Sequence, residues 1–372
     1  MRHPSTAASL NMKDHATAPA FPAGVIPFPH GQPSPAPPGK EADLRKGEQI
    51  RDLALHQLDR FLTLETKVLR GDGTDAVHDM RVASRRLELA LNVLFERPFP
   101  ARLRRARRKI RRSRKALSEV RNCDVLTERV EKALSSRRTT RREVWESFGE
   151  YLRERRARAQ RKAMRKLSGL NLAATYLRVK DALAAVAPIT RSSTLPPETA
   201  PASDGAEPTI KRLRQELERL WQKYEALIAE SRQDSHPTVI HRARIATKRL
   251  RYLAEILVEI DGVESRPALS ALRTLQERLG LWHDREIADQ FMREMVSQTD
   301  VLRDRLNVAG GLMRLIALNR RAKKLTEQKA LATLAKGPVA AQVRSWVGSV
   351  LESSSRVRFS GAVQPAAVSE LE

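Results

Sequence analysis

Apolar residues recur at helical spacing along most of the chain between residues 43 and 352. In the first half Leu58, Phe61 and Leu64 follow one another at steps of three, and further on Val144 and Phe148 are four apart. Steps of three and four place side chains on one face of a helix, and that face can be buried. No segment alternates with period two for long enough to predict a strand. The pattern therefore predicts an all-α fold.

Three proline-rich or polar segments interrupt this helical pattern. Residues 1–42 are rich in proline and alanine and are predicted to form a disordered arm. Residues 188–207 contain a second proline-rich stretch, which we interpret as a linker. Residues 353–372 lose the helical periodicity and are predicted to be a mobile polar tail. The folded part is therefore residues 43–352, which the linker divides into halves of about 43–187 and 208–352.

A basic motif occurs once in each half of the chain. His78-Asp-Met-Arg-Val-Ala-Ser-Arg-Arg-Leu87 returns as His241-Arg-Ala-Arg-Ile-Ala-Thr-Lys-Arg-Leu250 at a constant offset. The register continues upstream, where residues 58–64 align with 221–227, and downstream, where residues 117–125 align with 279–287 after the loss of one residue. Such self-similarity indicates a duplicated unit. We therefore expect two tandem, pseudo-symmetric helical bundles whose histidine helices face each other across a basic central cavity.

Each copy of the motif projects one histidine and two long cations from one face of its helix. At 3.6 residues per turn, steps of three and seven place the second and third basic side chains within about 60° and 20° of the histidine. In the first copy these residues are His78, Arg81 and Arg85. A guanidinium holds phosphate through two parallel hydrogen bonds, and a histidine adds an N–H donor or a charge. The motif therefore predicts a phosphate receptor and not a catalytic centre.

The charge balance indicates a polyanionic partner. Lysine and arginine total 69 against 44 acidic residues, which gives a formal net charge of +25 and a pI near 10.9. Nucleic acid, an anionic membrane surface and a phosphate polymer all fit this charge. Aromatic residues make up only 4% of the chain, so platforms on which bases could stack are scarce. This scarcity favours a phosphate polymer.

Cysteine usage and hydropathy indicate the compartment. Cys123 is the only cysteine, which excludes an intrachain disulfide and is typical of a reducing compartment. No apolar run approaches about 18 residues, and the N-terminus has no basic region followed by an apolar core, so neither a membrane span nor a Sec signal is predicted. We therefore expect a cytoplasmic protein with no membrane partner.

The repeated His-x-x-Arg-Val-x-x-Arg-Arg-Leu helix, followed in each half by a turn related to Leu-Gly-x-x-Arg-Asp, resembles the CHAD domain, the conserved histidine alpha-helical domain. The resemblance covers residues 43–352. It implies two pseudo-symmetric helical bundles around a basic cavity that binds inorganic polyphosphate, in proteins associated with polyphosphate granules. Carried over position by position, the implied polyphosphate ligands are His78, Arg81, Arg85, Arg86, Arg111, Arg121, His241, Arg244, Lys248, Arg249 and Arg273.

The chain departs from the family pattern at a few positions. Glu88 stands where the second copy has Arg251, and Ser118 replaces the glycine of the first turn. The second turn carries His283 where asparagine is common in the family. The two histidine helices are unaffected by these departures.

Signatures of catalysis and of cofactor binding are absent from the sequence. The histidines lack the i, i+4 pairing and the cysteine partners of a zinc site, and there is neither a P-loop nor a glycine-rich dinucleotide turn. The triphosphate-hydrolysing domain that is often fused to CHAD domains carries Glu-x-Glu-x-Lys, whereas Glu216-Leu-Glu-Arg-Leu220 lacks the lysine. We therefore predict a non-catalytic protein that binds polyphosphate and other polyanions, with no metal and no cofactor.

Two alternatives stay open. The net charge of +25 also fits a non-specific nucleic-acid-binding protein, although no recognised docking motif accompanies it. An enzyme acting on phosphate polymers could use the two motif histidines as phosphoacceptors or as acid and base groups.

Overall fold

A computed structural model gives the fold, and it describes residues 40–71, 74–136, 141–186, 207–233, 236–261, 266–335 and 337–359. These residues form twelve α-helices and contain no strand, which confirms the predicted all-α class. The helices are α1 (Lys40–Arg70), α2 (Thr74–Leu94), α3 (Ala101–Ala116), α4 (Ser118–Ser135), α5 (Arg142–Ser168), α6 (Leu172–Ala184), α7 (Glu207–Gln233), α8 (Pro237–Asp261), α9 (Arg266–Val296), α10 (Thr299–Asp304), α11 (Leu306–Ala335) and α12 (Pro338–Phe359).

The predicted arm and linker lie outside the described residues, except where α1 begins at Lys40 and α7 begins at Glu207. The predicted tail is described only as far as Phe359, where α12 ends. None of the described helices is long and apolar enough to cross a membrane.

The two histidine motifs lie on α2 and α8, close to the N-terminus of each helix. Leu87 and Leu250, the last residues of the motifs, are fully buried. Both helices pack against α1 and α7 as well as against each other. Helices from the two halves of the chain therefore interleave around the motifs, and the two cationic faces are held close together.

The apolar side chains that the repeat aligns upstream of the two motifs form part of the hydrophobic core. Phe61 and Leu64 on α1 are buried, as are Tyr224 and Leu227 at the aligned positions of α7, while Trp221 is half-buried against the same cluster. Steps of three and four along both helices place these side chains on a single apolar stripe. The alignment upstream of the motif is therefore an alignment of core positions.

The buried apolar residues form two clusters. The larger cluster joins α1, α2, α3 and α6 with α7, α8 and α12, and the smaller one includes α10. Helices α4, α5, α9 and α11 contribute to both clusters. Each cluster takes helices from both halves of the chain, and all described helices belong to one compact unit. The tandem, pseudo-symmetric arrangement of two bundles stays a prediction.

Two glycines occupy positions where a side chain would be strained. Gly71 ends α1 with a φ of +83°, a left-handed conformation that glycine adopts without steric cost. Gly311 on α11 faces α5, and a Cβ atom there would collide with Val144. The close approach of these two helices from opposite halves therefore depends on glycine.

Candidate functional site

A cavity of about 420 Å³ lies between helices of the two halves. Its walls come from α2, α3, α7 and α8, together with the segment that joins α2 to α3. Nine of its sixteen lining residues are arginine or lysine, and two are glutamates. A cavity of this size and charge suits a small anion or a short stretch of a thin polyanion.

Both copies of the motif contribute to this cavity. Arg85 comes from the first copy, and Arg244, Lys248 and Arg249 come from the second. The duplicated spacing therefore brings residues that are far apart in sequence to one concave surface. Arg111, predicted from the helix that follows the first motif, lines the same cavity.

The predicted residues His78, Arg81 and Arg121 lie beside the cavity wall. Burial lowers the pKa of His78 to about 4, and the charges of Arg121, Lys248 and Arg85 act in the same direction. Burial lowers the pKa of Arg81 to about 9, and repulsion from Arg85 is the largest contribution from another charge. These mutual effects show that the basic residues of α2 share one electrostatic environment with those of α8.

Arg81 also fixes α2 to the junction between α3 and α4. Its Nη1 atom donates to the main-chain oxygen of Arg114 over 2.6 Å and to Oγ of Ser118 over 2.8 Å. Hydrogen bonds from a charged donor are shorter and stronger than neutral ones. The arginine therefore holds the cavity wall in place as well as adding positive charge to it.

Lys248 lies among several other cations in the cavity. Burial lowers the pKa of its amine to about 6, and Arg244, Arg85, Arg81 and Arg251 lower it further by repulsion. An amine with this pKa is mostly neutral at pH 7 in the free protein. An anion bound beside Lys248 would favour its charged form.

Histidines of the second half form a pair beside Lys248. The rings of His241 and His283 have centroids 5.2 Å apart and are tilted by 48°. Burial lowers the pKa of His283 to about 3, with Arg244 and His241 contributing, and burial also lowers the pKa of His241. Both rings are therefore neutral at pH 7, when each has one N–H donor.

One acidic residue belongs to this neighbourhood. Burial raises the pKa of the Asp284 carboxyl, against the opposing effects of Arg244, Lys248, Arg121 and Arg129. Asp284 follows His283 within α9, so the turn predicted for this stretch is helical in the structure. The sequence aligns the two residues with Arg121 and Asn122. The His283–Asp284 pair was not among the predicted ligands, although its alignment with Arg121 was the signal that could have found it.

Six of the eleven predicted residues do not line the cavity: besides His78, Arg81, Arg121 and His241, these are Arg86 and Arg273. Arg86 donates from Nη2 to Glu255 Oε2 over 3.0 Å and stands over the ring of Tyr252, with 5.9 Å from Cζ to the ring centroid. These contacts join α2 to α8. Arg273 is exposed on α9 and is not among the residues that line the cavity.

Several cavity residues were not singled out as ligands by the sequence. Arg107 and Arg114 lie on α3 within a run of basic residues that also contains exposed members such as Arg104 and Arg108. The two are seven residues apart, so they share a face of the helix, next to the buried stripe of that helix. Their position next to this apolar stripe distinguishes them from the solvent-exposed arginines, and it could have been recognised in the sequence. Arg97 and Arg219 complete the basic lining.

Comparisons with known proteins support the assignment of the fold. The family model of the CHAD domain matches residues 52–293, which is more than half of the chain. The protein belongs to the CHAD domain family. No curated protein matches the sequence.

Two solved structures are similar to this chain. One is the crystal structure of the CHAD domain from the plant Ricinus communis, with 22% sequence identity and a TM-score of 0.55 over 77% of this chain and 91% of that one. The other is PptA from Streptomyces chartreusis, with 15% identity and a TM-score of 0.51 over 76% of this chain and 98% of that one. At these identities the similarity supports the fold alone.

Proposed function

We propose that this CHAD-domain protein binds inorganic polyphosphate in the cavity between α2 and α8, without catalysis, and that this binding recruits it to polyphosphate granules in the cytoplasm. The observation that carries the proposal is that both motif copies supply cations to one cavity, with Arg85 from the first copy facing Lys248 and Arg244 from the second. A ligand that satisfies both copies at once must present several negative charges close together.

The electrostatics of these three residues favour a polyanion. Within the described part of the chain, no carboxylate lies within ion-pair distance of Arg85, Arg244 or Lys248. Burial lowers the pKa of all three groups, and other cations lower that of Lys248 further. Glu88 acts in the opposite direction on Arg85, and Asp284 does so on Arg244, but neither carboxylate pairs directly with these arginines. Buried cationic groups without a directly paired carboxylate cost free energy. A bound phosphate chain would pair with them, which makes the free energy of binding more favourable.

Nucleic acid fits the cavity less well. A cavity of about 420 Å³ admits a phosphate chain, whereas a duplex would have to remain outside it. Binding of single strands relies on open aromatic faces, and the two aromatic residues of the cavity are already covered. The guanidinium of Arg107 lies 3.9 Å from the centroid of Phe99, and that of Arg251 lies 4.4 Å from that of Tyr252.

The first test is competition between polyphosphate and DNA across a salt series. Neutralising about four phosphates should give a slope near −3 in a plot of log affinity against log salt concentration. Filter binding with labelled polyphosphate at about 0.15 M salt is expected to show at least about tenfold weaker binding of single-stranded or duplex DNA of equal charge. Equal competition by DNA would leave the fold assignment standing and replace the proposed function with that of a general basic surface.

Binding without turnover is checked with the same preparations. Long-chain polyphosphate incubated with the protein is expected to keep its length on a gel and to release no orthophosphate. Turnover that disappears when His78 and His241 are each replaced by glutamine would instead assign an enzyme with these histidines in the reaction.

Arg86 provides a contrast between a structural role and a binding role. Since its guanidinium pairs with Glu255 outside the cavity, Arg86→Gln is expected to lower the free energy of unfolding by about 0.5–1 kcal/mol while changing polyphosphate affinity less than about threefold. Thermal melts and filter binding measure the two effects. A large loss of affinity with an unchanged melting temperature would place Arg86 among the ligands, as the family resemblance implies.

A further inference from the structure

A mainly apolar cavity of about 230 Å³ lies among α4, α5, α9 and α11. Helices α4 and α5 belong to the first half of the chain, and α9 and α11 belong to the second. Eight of the eleven residues that line this cavity are apolar, among them Trp145, Phe148 and Leu315. None of the eleven lines the basic cavity between α2 and α8. The two cavities therefore differ in position and in chemistry.

A buried amide organises the polar end of the apolar cavity. Nη2 of Arg129 on α4 donates to Oδ1 of Asn319 on α11 over 3.0 Å. Nδ2 of Asn319 donates in turn to the main-chain oxygen of Arg285 on α9 over 2.8 Å. Asn319 is buried, and all three residues line the cavity. The amide therefore holds one guanidinium and the backbone of a second arginine at the same end of an apolar space.

The guanidinium of Arg285 has no partner within the described part of the chain. Its Nε atom is buried and donates to no acceptor, and the neighbouring Glu286 pairs with Lys323 instead. Burial lowers the pKa of Arg129, Arg285 lowers it further, and Asp284 opposes them without forming an ion pair. Burying charged donors that lack partners costs free energy. An anion at this end of the cavity would pair with both guanidinium groups.

The two arginines do not belong to the duplicated basic motif. In the alignment of the two halves, Arg285 stands opposite Cys123, and Arg129 stands opposite Phe291. Cys123 and Phe291 are both buried in the smaller apolar cluster. Each half thus supplies an arginine where the other half has a buried apolar side chain. The repeat that gives rise to the basic cavity therefore does not account for this pair.

We propose that the apolar cavity is a second binding site, which takes a small monocarboxylate with its carboxylate on Arg129 and Arg285 and its apolar part against the aromatic rings of α5. Guanidinium groups hold a carboxylate through parallel hydrogen bonds. An apolar cavity of about 150 Å³ binds benzene, so a cavity of this size has room for about nine non-hydrogen atoms. A phosphate chain is charged along its whole length and would gain nothing from the apolar wall. The inference is independent of the proposed function.

Titration with benzoate tests this chemistry in the wild-type protein. At about 0.15 M salt, where weak surface contacts are screened, one benzoate is expected to bind with a dissociation constant of about 1 mM or below. Benzamide has the same shape without the charge, and acetate has the charge without the ring. Each is expected to bind at least about tenfold more weakly than benzoate. Benzamide or acetate binding as tightly as benzoate would overturn the inference.

Hexanoate distinguishes the two sources from which such a carboxylate could come. It carries the same head group on a flexible chain, so tighter binding of hexanoate than of benzoate would assign the site to short fatty acids, and the reverse order to aromatic acids. Tripolyphosphate is expected not to displace benzoate. Displacement at equal concentration would assign Arg129 and Arg285 to the phosphate-binding surface and overturn the inference.

Arg285→Gln locates the carboxylate. Since the Arg285 guanidinium has no partner within the described residues, the variant is expected to melt close to the wild-type temperature and to bind benzoate at least about tenfold more weakly. Arg321→Gln is the matched control, because Arg321 is exposed on α11 and lies outside the cavity, and its affinity should be unchanged. Wild-type affinity in a folded Arg285→Gln protein would overturn the inference.

Filling the cavity provides a second variant that leaves both arginines in place. Ala322 lines the cavity on α11, whereas Ala317 is exposed on the same helix and does not line it. Ala322→Phe is therefore expected to weaken benzoate binding at least about tenfold, and Ala317→Phe to leave it unchanged. Equal binding by the two variants would place benzoate elsewhere and overturn the inference. The Arg85→Gln/Lys248→Gln protein should bind benzoate like wild type, so this site and the proposed function can fail separately.

Discussion

Replacing Arg85 and Lys248 together by glutamine is expected to weaken polyphosphate binding by at least about 100-fold, with little loss of stability. The two residues hold the same position in the two motif copies and line the same cavity. A hydrogen bond to a charged group contributes about 1.5–3 kcal/mol, and the loss of two such bonds corresponds to at least about a hundredfold change in affinity. Isothermal titration with medium-length polyphosphate measures the effect.

A matched control separates a specific site from overall charge. Arg161 and Lys162 are exposed on α5 and, like the cavity pair, are one arginine and one lysine. The Arg161→Gln/Lys162→Gln protein loses the same two residue types, and so has the same formal net charge, as the cavity variant and is expected to bind within about threefold of wild type. Equal losses in the two variants would mean that the whole basic surface attracts the ligand and that the paired helices form no specific site.

The stability of the cavity variant carries separate information. Removing a residue that holds the fold together lowers the melting temperature, whereas removing a charge from a crowded cationic site relieves repulsion. The Arg85→Gln/Lys248→Gln protein is therefore expected to melt at or above the wild-type temperature in the absence of ligand. A loss of both affinity and stability would indicate that these side chains act mainly through packing.

The sequence predicted the parts of the site that depend on local periodicity. The spacing of Arg81 and Arg85 from His78 defines a helical face regardless of what that face contacts, and the repeat predicts the same face at Arg244 and Lys248. The helical class followed in the same way from steps of three and four. The two faces meet in one cavity because α2 and α8 pack against α1 and α7. The repeat suggested this arrangement, but only as an expectation.

Arg111 and Arg273 show why the alignment could not place every ligand. They are equivalent in the repeat, yet Arg111 lines the cavity and Arg273 is exposed. Leu117 separates α3 from α4 in the first half, whereas the corresponding stretch of the second half is the single helix α9. The two halves therefore differ in structure where the alignment treats them as equivalent, and periodicity alone does not report such interruptions of a helix.

Ion pairs between residues that are distant in the sequence could not be predicted from the sequence either. Arg86 stands next to Arg85 in the motif, but its pairing with Glu255 spans the two halves. Glu88 was recognised only as a departure from the family pattern, while its contacts with Arg111 and Arg114 depend on how α3 lies across α2. Long-range ion pairs are fixed by tertiary packing, and the sequence contains no local signal for them.

Polyphosphate binding is expected to strengthen as the pH falls from about 8 to about 6, because Lys248 takes up a proton on binding. The pKa of its amine is lowered to about 6 by burial and by Arg244, Arg85, Arg81 and Arg251, and a bound anion raises it again. In the pH interval where the Lys248 amine is neutral in the free protein and charged in the complex, binding takes up one proton, and the affinity changes by up to about tenfold per pH unit. His78 and His283, with pKa values of about 4 and about 3, titrate below this interval.

The same linkage has the opposite consequence for the free protein. Because the folded-state pKa of Lys248 lies below its value in the unfolded chain, the unfolded chain binds more protons between about pH 6 and pH 10. The stability of the ligand-free protein should therefore fall as the pH is lowered through this window, while ligand binding becomes tighter. Melting curves with and without polyphosphate at several pH values should thus diverge progressively toward pH 6.

Lys248→Arg separates the titrating amine from the position that it occupies. Arginine stands at the equivalent position of the first copy, Arg85, and a guanidinium stays protonated throughout this range. The variant is expected to bind about as tightly at pH 8 as wild type does at pH 6, and its affinity should be nearly independent of pH. Titration calorimetry in two buffers with different ionisation enthalpies counts the protons directly. Uptake of a proton that persists in Lys248→Arg would assign the linkage to another group. His241 is the first to test, because its pKa is lowered by burial, by Arg244 and by Lys248.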